Sequence, residues 1–398
     1  MIDINGRNPF AKLNYKEINQ KFGGNFGVGL GGQVQEIKDF KWLDKTQNYD
    51  VPLYPQRTVV QFNSTYMELV GRQDRIRGDV TFGSLFFLGL ISGVIYLGFV
   101  ILYDEFLTGS FLLGILASTI TLAFIVAFIY LLALLSTELF SYTYLPIRFN
   151  RKTRKVYVRQ ANRQVQVFDW DDLKFYMATT YKDGGDVRGI TLADDGVTIT
   201  GMFSLPFVNS LGADRHDEGT LLGHFEFVRR YMEGNAKQFK EVKSAVRYVH
   251  PVHEKRETPL VSLQRVKLGY HASHVNQENP GTFRLVLAEY LLMPFAWLRY
   301  MGRLLSINTS ITPKFSPEIE AECQIDPNDP YDLNKNLPEG NIEDANQPIW
   351  KKLVFSLALI LFGIIMLFVF AFFIDMIGAI KGYDTGLAYK LLYWFHLV

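Results

Sequence analysis

The chain has 398 residues, and its 41 Lys and Arg residues are balanced by 40 Asp and Glu residues. A net charge this close to zero provides no basic field for a nucleic-acid partner. The single cysteine, Cys323, excludes an intramolecular disulfide bond and suits a reducing cytoplasm.

Residues 1–81 are predicted to form a small cytoplasmic region. Met1–Asn25 is polar and lacks the apolar segment of a cleavable signal peptide. The glycine-rich stretch Gly23–Gly32 contains G-x-G-x-x-G spacing, but a dinucleotide site also needs a buried strand before it and a helix after it. We therefore expect a flexible loop there, with a phosphate cradle as the alternative. Loose alternation of β-branched and aromatic residues predicts a strand pair over Val59–Val70.

Residues 82–139 contain two long runs without charge, Phe82–Tyr103 and Ser110–Thr137. A helix of either length reaches across the roughly 30 Å of hydrocarbon in a bilayer. Inside lipid the backbone must bond within its own segment, so these runs predict a transmembrane helical hairpin. Gly89, Gly93, Gly98 and Gly114 permit close helix packing, with Gly89 and Gly93 in the tightest pattern, and packing within the hairpin is favoured over a homo-oligomer, which stays open.

The charges around this hairpin predict its orientation. The connecting loop has Asp104 and Glu105 but no Lys or Arg, whereas basic residues flank both outer ends. These are Arg72, Arg75 and Arg77 before the hairpin and Arg148, Arg151, Lys152, Arg154 and Lys155 after it. The positive-inside rule therefore predicts that both flanking polar regions are cytoplasmic.

The five basic residues between Arg148 and Lys155 also form a candidate membrane-surface cluster. Near an anionic leaflet each such side chain contributes about 1 kcal/mol to binding. Topology alone accounts for the same residues, and that is the plainer interpretation.

Residues 140–234 have the clearest pattern of a folded domain. They predict a strand hairpin over Arg148–Arg159, strands at Val165–Trp170 and Leu173–Thr180, and a second hairpin whose turn contains Asp195 and Gly196. Apolar residues at helical spacing predict an amphipathic helix over Asp217–Met232. Antiparallel strands closed by one helix resemble a pleckstrin-homology-like domain.

Residues 235–350 are predicted to be a helical and irregular cytoplasmic region. Two His-x-x-His pairs, His250/His253 and His271/His274, have zinc-ligand spacing, but loop histidines are the favoured interpretation. Phe283–Leu305 is apolar yet carries four charges, which favours an amphipathic helix on the inner leaflet or on the soluble domain. The segment Phe315–Asn346 is expected to be an acidic linker with solvated carboxylates.

A third transmembrane helix is predicted within residues 351–380, over Leu353–Ile374. Residues 381–398 are predicted to be an interfacial aromatic tail, with a helix returning across the membrane as the alternative. The predicted fold class is therefore an α+β integral membrane protein. Its transmembrane helical hairpin leads into a β-rich, pleckstrin-homology-like cytoplasmic domain with a closing helix, followed by a C-terminal transmembrane helix.

No catalytic signature is recognisable in the sequence. G-x-S-x-G, a Walker loop, H-E-x-x-H and the kinase motifs are missing, and paired carboxylates such as Asp171–Asp172 fall at predicted turns. We predict neither a cofactor nor a metal and expect a non-enzymatic protein, leaving an enzyme acting on lipid or peptidoglycan precursors as a remote alternative.

Three segments together carry a family resemblance. They are Arg148–Tyr157 with the later Phe168–Trp170, the helix end Phe227–Glu233, and Phe315–Glu320 before Asp326–Pro330. The chain resembles an uncharacterised bacterial inner-membrane family whose genes often lie near type VI secretion effector and spike clusters. The resemblance covers roughly Tyr54 to Tyr331, and its motifs are structural rather than catalytic.

This resemblance implies a multi-pass protein of the bacterial inner membrane with large cytoplasmic regions. It implies an immunity or accessory protein of an antibacterial secretion system, whose partners are the lipid bilayer and a secreted effector or secretion component. The alternative is a membrane scaffold whose pleckstrin-like domain binds anionic lipid or a protein.

Overall fold

The computed structural model describes residues 12–13, 35–36, 41–55, 58–71, 74, 77–108, 111–160, 164–180, 184–194, 196, 199–208, 218–246 and 293–336, with scattered positions in 259–266 and 357–390. The predicted glycine loop, both His-x-x-His pairs, the aromatic residues of the C-terminal tail and most of the predicted third span lie outside these residues. Expectations for those segments therefore stay predictions.

The described strands are β1 (Lys12–Leu13), β2 (Gln35–Glu36), β3 (Lys41–Leu43), β4 (Val59–Phe62), β5 (Tyr66–Leu69), β6 (Ile147–Asn150), β7 (Lys155–Arg159), β8 (Val165–Asp169), β9 (Lys174–Thr180), β10 (Gly184–Leu192) and β11 (Ile199–Val208). The described helices are α1 (Asp79–Thr108), α2 (Phe111–Leu135), α3 (Glu218–Glu233), α4 (Ala236–Ala245), α5 (Met293–Thr309), α6 (Pro317–Glu322) and α7 (Leu333–Asn336). The predicted strand pairs and the amphipathic helix α3 are confirmed.

The chain divides into two compact units. The first comprises Met1–Val261 and Gly302–Ile342, and the second comprises Ser262–Met301 and Glu343–Val398. The first unit holds the sheets, α1 to α4, and the last turns of α5. In the second unit, the Asp375 carboxylate accepts a hydrogen bond from the Leu387 amide at 2.8 Å.

Two antiparallel sheets form the body of the first unit. One has the order β4-β5-β6-β7-β8 and the other the order β11-β10-β9-β3. The sequence assigned 1–81 and 140–234 to separate regions, but β5 pairs with β6 and β3 pairs with β9. Strands from before and after the apolar helices therefore share both sheets.

An aromatic core joins the two sheets. Phe149 of β6 is fully buried, with its ring centroid 6.1 Å from that of Trp170 and 6.4 Å from that of Phe203 in the other sheet. Helix α3 closes this core because its apolar residues recur at helical spacing, and Phe225 lies 5.2 Å from Phe175. The domain is therefore held by contacts between segments far apart in sequence.

The helices α1 and α2 pack against each other and expose most of their apolar side chains; we call the pair the apolar hairpin. Both are long and apolar enough to cross a membrane, and only 6% of each apolar window is buried. Phe111 and Leu112 are 81% and 79% exposed, whereas the core helix of a water-soluble protein buries such residues. The length, composition and exposure of the hairpin together agree with the predicted pair of spans.

Glycine packing within the apolar hairpin confirms the prediction at Gly98 but not at Gly89 and Gly93. A side chain at Gly98 would collide with Thr121 Oγ1 on the facing helix. At Gly89 and Gly93, however, no described atom lies within 4 Å of where a Cβ would stand. The prediction that these two glycines serve close packing within the hairpin is therefore wrong for the described chain.

The described part of the predicted acidic linker, residues 315–336, is a structured strap over the outer face of the five-stranded sheet. Phe315 and Cys323 are buried against Tyr66 and Tyr157. The Asp329 carboxylate accepts a hydrogen bond from the Ser64 amide at 2.6 Å. Glu320 and Glu322 pair with Arg148 and Lys155 but remain exposed. The segment is therefore folded, while the expectation of solvated carboxylates is wrong only for the buried Asp329 and Asp332 among the described residues.

We expect Phe149→Ala to lower the free energy of unfolding by about 3–5 kcal/mol, because it leaves a cavity between the sheets. The measurement is denaturant unfolding of the full chain in detergent, followed by Trp fluorescence. Val167→Ala, at a position 53% exposed on β8, is the control and should change stability by about 1 kcal/mol or less. Equal losses for both variants would contradict the inter-sheet core.

Burial also makes stability depend on pH through His224 of α3. Desolvation lowers the pKa of His224 to about 4 from its ordinary 6.5, although Nδ1 bonds the Tyr54 carbonyl at 2.7 Å. Because the unfolded chain takes up a proton first, stability is full above pH 6.5 and declines as the pH falls toward 4, by about 3 kcal/mol in total.

His224→Asn preserves a donor for the Tyr54 carbonyl but does not titrate. In unfolding curves recorded at several pH values, the stability difference between wild type and variant should change between pH 6.5 and 4. A constant difference over that range would refute a buried neutral imidazole.

Candidate functional site

Arg148, the first member of the candidate basic cluster, is buried inside the strap. Its guanidinium contacts Glu68 at 2.7 Å and Glu320 at 3.0 Å. It also lies 4.4 Å from the ring centroid of Tyr66 and 4.3 Å from that of Phe315. This charge therefore joins β5, β6 and the strap rather than facing solvent.

The other members of the cluster lie around the turn between β6 and β7. Arg151 donates to the Gly234 carbonyl at 2.6 Å, and Lys155 contacts Glu322 at 3.0 Å. Arg154 has a positive φ of 55° and contacts Asp171 at 2.5 Å and Glu233 at 2.7 Å. Lys152 is exposed. The structure thus brings the five residues near one another but gives four of them partners within the domain.

The turn also lies at the far end of β6 from the apolar hairpin. Residues after α2 lead into Ile147, and the strand then runs through Asn150 to Arg151. Four residues of strand span about 13 Å. The position of these basic residues consequently gives little support to contact with lipid headgroups beside the hairpin.

The apolar hairpin meets the domain at a polar junction, formed by Asp74, Arg77, Gly78, Thr81, Glu138, Thr143, Arg303, Ser306 and Ser310. Arg77 is buried and spreads its guanidinium over several acceptors. Its Nη1 donates to the carbonyls of Tyr142 and Thr143 at 2.7 and 2.6 Å, and its Nη2 donates to Ser310 Oγ. One side chain from before α1 thereby binds the chain that follows α2.

Glu138 completes the junction from the other end of the hairpin. Its carboxylate accepts from the amides of Gly78 and Thr81 at 3.1 and 2.9 Å and from Thr81 Oγ1 at 2.6 Å. The first amides of a helix have no partner within the helix, and a negative charge there is favoured by the helix dipole. Glu138 therefore caps α1 from a distant position.

The last turns of α5 pack directly on this junction. Arg303 is 1% exposed, donates to the Asp74 carbonyl at 2.7 Å, and lies 3.4 Å from the Asp74 carboxylate. A Cβ at Gly302 would stand 2.4 Å from the Gly78 carbonyl oxygen, and Gly78 has a φ of 94°. Gly78 and Gly302 therefore allow the backbone before α1 and the backbone of α5 to come into contact, and a larger residue at either position would push these two segments apart.

In the sequence, Arg77 served only to predict the orientation of the hairpin, and Arg303 counted only as a charge that disfavours a transmembrane helix. Glu138 was missed, although a lone carboxylate directly after an apolar helix was an available signal. The partner of each charge was not predictable, because Arg303 and Asp74 lie 229 residues apart.

The described residues offer little for covalent or metal chemistry. They contain no group of three or more His, Cys, Asp or Glu able to hold a metal ion. Burial raises the pKa of the Cys323 thiol, which opposes formation of a reactive thiolate. The polar junction instead joins the apolar hairpin to the folded domain.

Comparison with known proteins identifies one family. The family described as "Family of unknown function (DUF6708)" matches residues 124–327, about half of the chain. That range begins within α2 and ends just after the strap helix α6. No curated protein and no solved structure matches the chain.

We expect Glu138→Ala to expose the start of α1. Losing a capping acceptor typically costs about 0.5–2 kcal/mol. Amide hydrogen exchange at Gly78 and Thr81 in the full chain should therefore accelerate, by about tenfold for a loss of 1.4 kcal/mol.

Glu138→Gln, which keeps an acceptor oxygen but removes the charge, should give an intermediate rate. Amides of β10 serve as an internal reference and should not change. Unchanged exchange at Gly78 and Thr81 in the alanine variant would show that Glu138 does not cap α1.

Proposed function

The chain belongs to the DUF6708 family of unknown function, and we propose that it is a non-enzymatic, membrane-anchored binding protein. The observation that carries this proposal is the polar junction at the base of an exposed apolar hairpin. In this proposal α1 and α2 cross the bacterial inner membrane, the predicted helix Leu353–Ile374 adds a third span, and the sheets are cytoplasmic.

The position of the hairpin supports a fixed attachment. Strands β5 and β6 are adjacent and antiparallel, so a short turn is the usual connection between them. Here the whole apolar hairpin takes the place of that turn, and Arg77 and Glu138 bind its two ends together. A domain attached in this way is held to the bilayer by two short connections.

We further propose that the domain is pleckstrin-homology-like. A meander of antiparallel strands, a second sheet of β3 and β9 to β11, and the closing helix α3 agree with that architecture. The proposal rests on element order. It places the domain among folds used mainly for binding, and such a likeness alone does not identify a ligand.

The specific role that we propose is immunity or accessory function in an antibacterial, type VI-like secretion system. Its support is the family resemblance of the motifs around Arg148, Phe227 and Phe315. The partner would be a secreted effector or secretion component. The alternative is a membrane scaffold for another protein, which the ion-paired basic cluster favours over a reader of anionic lipid.

The test is contact-dependent competition between a strain lacking this gene and its parent, on a surface where secretion is active. An immunity protein predicts killing of the mutant by its parent. An accessory protein predicts that the mutant survives but no longer kills a sensitive third strain. The wild-type gene supplied on a plasmid should reverse either phenotype.

A parent with a disabled secretion apparatus is the matched control, and it should not kill the mutant. Killing that persists with this parent would contradict immunity to a secreted toxin. If neither survival nor killing depends on the gene, the secretion role is wrong and the scaffold becomes the better account.

A further inference from the structure

Three large apolar side chains are exposed around the base of the apolar hairpin; we call Phe140, Leu305 and Ile311 the apolar collar. They are 67%, 41% and 59% exposed. Phe140 follows α2, Leu305 lies on α5, and Ile311 follows α5. These residues come from two segments more than a hundred positions apart, so local sequence alone does not explain their grouping.

Hydrogen bonds fix the collar at the level where the hairpin begins. The Ile311 amide donates to the Ser141 carbonyl at 2.8 Å, and its carbonyl accepts from Thr143 at 2.9 Å. Gly302, one turn before Ser306, would place a Cβ 3.0 Å from Phe82, the first residue of the uncharged run. The collar therefore lies beside the start of the apolar surface of α1 and α2 and extends it.

Burial at this level departs from that in a water-soluble protein, although Ile307 of α5 is buried and Asn308 is exposed. Arg77, Arg303, Ser306 and Ser310 are buried inside the junction, whereas the collar faces outward. On α5, Thr309 Oγ1 also turns back to the Leu305 carbonyl at 2.9 Å. Polar groups inside and apolar groups outside are stable where the surroundings are apolar.

Phe140 provides a second, independent observation. Its φ of 58° lies in the left-handed region, which bulky residues avoid and which Gly or Asn adopts more easily. The chain thus holds a strained backbone at this position and presents an exposed aromatic ring there. Aromatic side chains are enriched at the boundary between headgroups and acyl chains.

We propose that the apolar collar inserts into the boundary between headgroups and acyl chains of the bilayer crossed by the hairpin. The inference rests on the proposed membrane anchoring and adds an in-plane contact to it. The last turns of α5 then lie along the membrane surface, with Arg303 on the protein side and Leu305 on the lipid side. An amphipathic helix in such a position buries its apolar face about 5–10 Å deep.

The experiment uses the full chain in phosphatidylethanolamine–phosphatidylglycerol nanodiscs. Single cysteines replace Phe140, Leu305 or Ile311, one at a time, and carry an environment-sensitive fluorophore. Lipids with a spin label near the headgroup or near the end of the acyl chain then quench the fluorescence. The unsubstituted chain, whose only cysteine is buried, measures background labelling.

Two reference positions set the scale. Val126→Cys, in the middle of α2 and 60% exposed, should be quenched most by the deep spin label. Thr153→Cys, in the turn beyond β6, should be quenched by neither. The collar positions should lose most of their fluorescence with the shallow label and less with the deep one.

If the collar positions behave like position 153 while position 126 is quenched, the hairpin is anchored but the collar does not enter lipid, and the inference is wrong. Blue-shifted emission without quenching at the collar would mean that protein, such as a second copy of this chain, covers it. That result also overturns the inference. If position 126 is not quenched either, the proposed membrane anchoring itself fails.

Discussion

The structure depends on satisfying the backbone where the chain passes from the sheet into the apolar hairpin. Arg77 donates hydrogen bonds to backbone carbonyls of the chain leaving α2, and Glu138 accepts hydrogen bonds from backbone amides at the start of α1. A buried polar group left without a partner costs about 1–3 kcal/mol. Each of these two side chains serves several such groups, so the short connections between sheet and hairpin are held in one conformation.

The same use of charge recurs across the domain. Arg148 lies between Glu68 and Glu320, and Glu226 is fully buried between Arg229 and Arg230. Removing ions from water offsets most of the attraction within such pairs, so they add little net stability. Their main effect is on conformational specificity, because any alternative packing that separates the two partners leaves an unpaired charge buried. The Arg148 pairs thereby confine the strap to one position on the five-stranded sheet, whereas the Glu226 pairs lie within α3 itself.

Local elements of this fold were predictable from the sequence because their signals are short-range. The alternation in Val59–Val70, the turn after Asn150 and the helical spacing around Phe225 each identified a real strand pair or helix. The contacts that join these elements are formed between residues far apart in the sequence. Nothing local indicates that β3 pairs with β9, or that the strap covers the outer sheet face.

The candidate site shows the same limit for charged residues. Arg148 and Lys152 lie four positions apart and are equally basic in the sequence, yet one is buried in an ion pair and the other is exposed. Strand alternation would not have separated them, because the partners of Arg148 are Glu68 and Glu320, which lie far from it in the sequence. The capping role of Glu138 was not predictable for the same reason, because the amides that donate to it precede it by almost sixty residues.

The direction of the strands constrains where a binding partner can act. If the hairpin crosses the bilayer, β6 runs away from the membrane, and the turn containing Lys152 and Arg154 is among the parts farthest from it. The outer face of the five-stranded sheet is already occupied by the strap, and one end of the sheet is occupied by the hairpin. Under that arrangement the distal turn and the partly exposed edge strands β3 and β8 stay accessible to a partner, whereas nearly all of α3 is buried.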